Sequence, residues 1–152
     1  MRVWRLAKGS LAAVLNGEGN RRRGARWNSP GRGIVYTSLN LSLAVLETLV
    51  HTRSDLLPLD LASVEIEVPD DAPLRTLRLA DFPEDWKATA QDDWFRRAGD
   101  AWLAGVRELS LLAPSVIVPR EMNVMLNPLH AEMRRVRVIE VSPFRLDPRL
   151  IR

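Results

Sequence analysis

Residues 33–51, GIVYTSLNLSLAVLETLVH, decide how the rest of the chain is read. Gly33 to Ser38 is a β-branched and aromatic run bounded by glycine, the pattern of a short strand. Asn40 then offers a side-chain acceptor to the free amides of a helix start, which predicts a helix over LSLAVLETLVH. On a helical wheel Leu41, Leu43, Ala44, Val45, Leu46, Leu49 and Val50 cover almost the whole circumference, the mark of a helix buried on most sides. Glu47 is therefore conspicuous. An ionised carboxylate on such a helix is costly to bury unless it is paired or hydrogen-bonded, so it belongs either to an internal ion pair or to a cleft.

Working outward, the start MRVWRLAKGS alternates like a strand carrying Val3, Trp4 and Leu6. Gly9 to Gly24 reads as a short amphipathic stretch that passes into a loop of Gly, Asn and Arg, including the run Arg21, Arg22, Arg23. Downstream, Val64, Ile66 and Val68 alternate with Glu65 and Glu67, predicting a strand with one wet face that is closed by a turn from Pro69 to Pro73. Leu74 to Leu79 is a further candidate strand, and Asp81 before Pro83 a candidate helix start. Trp94, Phe95, Ala98, Ala101 and Trp102 recur at helical spacing and predict a helix over Asp92 to Ala104. The last third holds three β-rich runs, SVIVP, EMNVMLNP and VRVIEVSPF, with no helices long enough for repeated βαβ units. The predicted fold class is α+β, a mixed β core with flanking helices.

The chain has 152 residues, 46% of them hydrophobic, which suits one domain over residues 1–152 with a single core. There is no internal repeat. With no cysteine, 2 His and scattered carboxylates, neither disulfides nor a dedicated metal site are expected. The first residues lack the apolar stretch of a signal peptide, and no segment is apolar enough for a bilayer span, so a cytoplasmic location is expected. Net charge is +3 and the pI about 10.1, with nearly all cations arginine. Arginine's planar fork of donors favours anionic partners: nucleic acid, a phosphorylated small molecule or an acidic protein.

Arg26 and Asn28 lie in a turn where donors can reach a pyrophosphate, and Gly24, Gly31 and Gly33 permit close backbone approach; a solvated turn arginine is the plainer alternative. Tyr36 offers a ring for stacking on a heterocycle, or simply strand packing. Ser115 follows Pro114 at the start of a candidate strand, and Asn123, Asn127 and His130 follow in a hairpin-like region. Turn and cap bonding is the stronger reading for Asn123 and His130. Trp86, Trp94 and Trp102 read as packing residues rather than a base-stacking platform.

The ordered segments GARWNSPGRGIVYTS, SLAVLETLVH, GDAWL, APSVIVPREMNVMLNPLH and PFRLDPRL together resemble the RES domain, a bacterial toxin family named for an arginine, a glutamate and a serine. The matching residues here are Arg26, Glu47 and Ser115. The resemblance implies a fold like that of ADP-ribosyltransferases, with an NAD+ cleft between strands. It implies that Arg26 is the main NAD+-binding arginine. Tyr36 would be the aromatic at the nicotinamide end, Glu47 the catalytic acid residue, and Ser115 part of the cleft lining. Arg32 and Asn127 form a second tier, since one loop can point outwards and the other residue can cap a turn.

NAD+ would be the substrate, and no metal is needed. Nicotinamide leaves neutral from a cationic pyridinium, so the task is to stabilise the oxocarbenium-like ribosyl centre, with Glu47 close to that ribose. Water, phosphate or a protein side chain remain open as acceptors, a metabolic protein among them. The family also implies a cognate antitoxin with a helix-turn-helix domain and a segment that blocks the cleft, within a higher-order complex. The alternatives are a basic nucleic-acid-binding or nuclease-like toxin using Arg21 to Arg23, and a catalytically dead domain that keeps the fold.

Overall fold

In the computed structural model, which describes residues 1–51, 60–87 and 93–150, one seven-stranded sheet carries the molecule. Its strands are β1 (Arg2–Lys8), β2 (Val35–Ser38), β3 (Leu61–Glu67), β4 (Leu74–Thr76), β5 (Ser110–Pro114), β6 (Met122–Leu126) and β7 (Arg137–Pro143). They lie in the order β4-β5-β6-β2-β1-β3-β7. Every neighbouring pair is antiparallel except β4 with β5. The helices are α1 (Glu18–Arg21), α2 (Leu41–His51) and α3 (Asp93–Gly105). The α+β expectation holds.

Strand alternation splits the apolar side chains between the two faces of the sheet. Val3, Val35, Val64, Ile66, Val124 and Leu126 form one cluster. Leu111, Ala113 and Met125 point the other way, into a second cluster with Trp27, Phe82, Phe95 and Trp102. Trp27, Phe82, Trp94 and Phe95 meet edge-on or tilted, with centroids 5.0–6.5 Å apart. Edge-to-face geometry suits their quadrupoles and adds to the area they bury. Trp86 joins Phe82 at 5.8 Å, and Trp102 is fully buried, so the tryptophans pack as expected.

Four local expectations change. Helix α2 buries Leu43, Ala44 and Val45, but Leu46 and Val50 are 38% and 61% exposed. Among the described residues the helix packs chiefly on β1 and β2, and the exposure of Leu46 and Val50 shows that its apolar circumference overstates its burial. Asp81 does not open an α-helix: it ends a 3-10 turn over Leu79–Asp81, and its carboxylate accepts the Arg78 amide. Among the described residues, Leu74 to Leu79 is strand only as far as Thr76. The run SVIVP is a turn, and the strand lies upstream as Ser110–Pro114. Ser115 overrides the β-branched signal because its hydroxyl accepts the amides of Ile117 and Val118, both at 3.0 Å, and curls the chain. The predicted helix over Asp92 to Ala104 is found as Asp93–Gly105, with Asp92 outside the described residues.

Candidate active site

A cleft of about 430 Å³ opens between β1, β2, β6, α2 and the turn that carries Arg26. Its wall on α2 is set by the helix start. The Asn40 side-chain oxygen accepts the Leu43 amide at 2.8 Å, the N-cap expected from sequence, while its amide donates to the Glu121 carboxylate just before β6. Helix and strand are thereby tied together, and Glu47 arrives two turns later facing Asn123.

Glu47 divides its two oxygens. Oε1 accepts hydrogen bonds from the Ser115 hydroxyl at 2.9 Å and from the Asn123 amide. The Asn123 amide is itself oriented, because its oxygen accepts the Ser38 hydroxyl at 2.7 Å and leaves the NH₂ for the carboxylate. Oε2 lies 3.3 Å from His51 Nε2, one helical turn on. Burial alone would raise the Glu47 carboxyl. The hydrogen bonds from His51, Asn123 and Ser115 outweigh it and hold the group below the ordinary carboxylate range. The cleft therefore contains a carboxylate that stays ionised at neutral pH.

Across the cleft, Arg26 sits in a tight turn closed by paired bonds between Ala25 and Asn28. Gly24 is required there: its φ is +72°, and a Cβ would stand 2.7 Å from the Asn28 carbonyl oxygen. Helix α3 presses the turn into place. Gly99 contacts Trp27 so closely that a Cβ would come within 1.9 Å of its carbonyl oxygen. Asp100 accepts both the amide and the hydroxyl of Ser29, and the Arg26 guanidinium lies over the Phe95 ring at 5.6 Å. Burial lowers the Arg26 pKa, opposed by the charge of Glu47 and by Tyr36.

The Tyr36 hydroxyl donates to Asn28 Oδ1 at 2.7 Å and accepts the Trp27 amide at 3.1 Å. Burial pushes its pKa well up, so the phenol stays neutral, fixed by its tip, with the residue lining the cleft.

Arg26, Tyr36 and Glu47 thus meet in one cleft, and Ser115 stands behind Glu47 as one of its hydrogen-bond donors. Three other sequence candidates lie apart from this lining. Asn28 is fully buried and holds the turn through Tyr36 and the Arg32 carbonyl. Arg32 is half-exposed against Asp100 of α3. Asn127 is buried beyond the far end of β6, bonded to the Leu103 carbonyl and the Leu129 amide. His130 caps a 3-10 turn, as read from sequence, through Nδ1 and the Glu132 amide. The turn or cap role expected for Asn123 does not hold: it lies within β6, paired with Ser38 of β2, and its amide donates to Glu47. His51 is a lining residue to which the sequence reading gave no role. The spacing of Glu47 and His51, one turn apart on a helix, was the available signal for His51.

The fold is shared with a solved structure. The M. tuberculosis MbcT-MbcA toxin-antitoxin complex shares the fold at TM-score 0.74 and 19% identity, over 99% of this chain and 86% of that one. The sequence matches the RES domain over residues 2–147, and the chain belongs to that family. Its relatives include a protein named Prs ADP-ribosylating toxin from Sphingobium sp. (strain YBL2), 38% identical over 98% of this chain and 96% of that protein. A protein named Toxin Res from Photorhabdus laumondii subsp. laumondii is 32% identical over 100% of this chain and 98% of its own length. Another Toxin Res, from Yersinia enterocolitica, is 36% identical over 92% of each chain.

Proposed function

We propose that this protein is a toxin that cleaves the nicotinamide-ribosyl bond of NAD+ and passes the ADP-ribose to an acceptor. The observation that carries the reading is the ionised Glu47, its Oε1 held by Ser115 and Asn123, on the wall of a cleft that also presents Arg26 and Tyr36. A carboxylate fixed in advance stabilises positive charge as it develops at the ribosyl carbon, with little reorganisation at the moment of reaction. Arg26 supplies paired donors suited to the pyrophosphate. Tyr36, anchored through its hydroxyl, offers its ring to the nicotinamide. The cleft is within the usual size range for a small-molecule site.

The relative named an ADP-ribosylating toxin favours a protein as the acceptor over water or phosphate. A shared fold with the toxin of a toxin-antitoxin complex favours an antitoxin as the partner. In this reading the antitoxin occludes the cleft and carries a helix-turn-helix domain, and the toxin acts in the cytoplasm of the cell that makes it. The test is nicotinamide release from NAD+ by the purified protein, with phosphate and then a bacterial lysate as acceptors. Glu47→Gln keeps the shape and removes the charge. Release by wild type and its loss in that variant are expected, and the mass of the ADP-ribose product names the acceptor. No release under any condition would instead favour a nucleic-acid-binding toxin.

A further inference from the structure

We propose that His51 is the general base for acceptors that must lose a proton, with Glu47 holding its ring in place; the inference rests on the NAD+ reading of the cleft given above. Glu47 and His51 lie one turn apart on α2, line the same cleft, and meet through Oε2 and Nε2 at 3.3 Å. Their exposure differs: the carboxylate side chain is 19% accessible and the imidazole 51%. The charge stands deep in the cleft, beside the site proposed for the ribose, and the ring stands nearer solvent, from which an acceptor arrives.

The other described residues of the lining are poor proton acceptors. Arg5 and Arg26 are cations, the Tyr36 phenol is neutral with its hydroxyl already bonded, and the hydroxyls of Thr37, Ser38 and Thr48 are not bases at neutral pH. Glu47 itself is a weak base, because its hydrogen bonds favour the ionised form. Its use of Oε1 for Ser115 and Asn123 leaves Oε2 to the imidazole and the ribose.

The step balances without a further reactant. The C1′–N1 bond breaks, its electron pair passes to the ring nitrogen, and nicotinamide leaves neutral. The acceptor oxygen bonds C1′, and its proton passes to the His51 nitrogen that does not face Glu47. The imidazolium that results is stabilised by the carboxylate beside it. A carboxylate that orients a histidine towards a hydroxyl is the arrangement hydrolases use to activate a nucleophile. An anionic nucleophile with no proton to lose has no need of His51.

The experiment uses azide as that nucleophile. Wild type and His51→Gln are incubated with NAD+ in buffer, with and without sodium azide, and nicotinamide, ADP-ribose and ADP-ribosyl azide are resolved by mass. In His51→Gln, ADP-ribose formation is expected to fall about 100-fold or more, the usual contribution of a general base. Azide is expected to restore nicotinamide release in the variant, with ADP-ribosyl azide as the product. Formation of ADP-ribose within threefold of wild type overturns the proposal, and so does a deficit that azide does not relieve. His51→Asn serves as a second variant, and a helix-end role alone would move the melting temperature without changing how products partition. Wild-type protein that releases no nicotinamide, in buffer or in lysate, overturns the NAD+ reading itself and this proposal with it.

Discussion

The carboxylate of Glu47 sits at the meeting point of three donors, and each of them is testable. Removing its charge as Glu47→Gln should cost on the order of 100-fold or more in turnover, as loss of one aimed electrostatic group does, with the melting curve little changed. Ser115→Ala removes one of the bonds that favour the ionised form, so the carboxyl should titrate at higher pH than in wild type. The sign follows from the direction of the shift. A carboxyl whose folded-state pKa lies below its unfolded value contributes stability that is present above the unfolded value, about 4.3 for glutamate, and lost as pH falls through the folded one. The acid limb of the wild-type turnover profile should therefore lie below the ordinary glutamate range, and Ser115→Ala should move it upward; an unmoved limb would contradict the assignment. Sequence exposed Glu47 because a lone carboxylate on an apolar helix is a local anomaly. It hid Asn123, whose role depends on β2 pairing with β6 so that Ser38 stands opposite it, a register no local pattern encodes. Arg32 and Asn127 sit next to site residues in sequence, yet their side chains turn to α3 and its C-terminal carbonyls.

Helix α3 is the element on which the arginine side of the cleft depends. It touches the Arg26 turn through Phe95 and Gly99, one turn apart on one helix face, and through Asp100 beside them. Gly99→Ala would drive a methyl into the Trp27 carbonyl, and a destabilisation of about 3 kcal/mol or more is expected, since overpacking of a rigid contact is costly; chemical denaturation measures it. Asp100→Ala leaves the helix intact and frees the Ser29 end of the turn, so KM for NAD+ should rise several-fold with kcat less affected. At the other wall, Asn40→Ala should cost about 1 kcal/mol as a lost helix cap. The element boundaries that sequence read well are those closed by local chemistry, such as the Asn40 cap. The SVIVP run misled because one hydroxyl, Ser115, captured two amides and turned the chain where β-branched residues suggested extension.

At the scale of the whole molecule, the sheet order explains why the site is assembled from parts distant in sequence. β2 lies between β6 and β1, so the turn before it brings Arg26, the helix after it brings Glu47, the β5–β6 connection brings Ser115, and β6 itself brings Asn123. Alternation predicted the α+β class and most of the strands, but strand order is set by long-range pairing and was not legible from the chain. A ligand that bridges these parts should stabilise the fold by about 2.7 kcal/mol at a hundredfold excess over its Kd. A non-hydrolysable NAD+ analogue should therefore raise the melting temperature of wild type by several degrees, and Arg26→Ala should abolish the shift without itself lowering the melting temperature greatly. The most direct measurement remains nicotinamide release from NAD+ by purified wild type and Glu47→Gln, side by side, with phosphate or lysate as acceptor. Release by the wild type that falls at least a hundredfold in a folded Glu47→Gln protein is the outcome expected. Equal release by both, or none by the wild type, contradicts an ionised Glu47 as the centre of the chemistry.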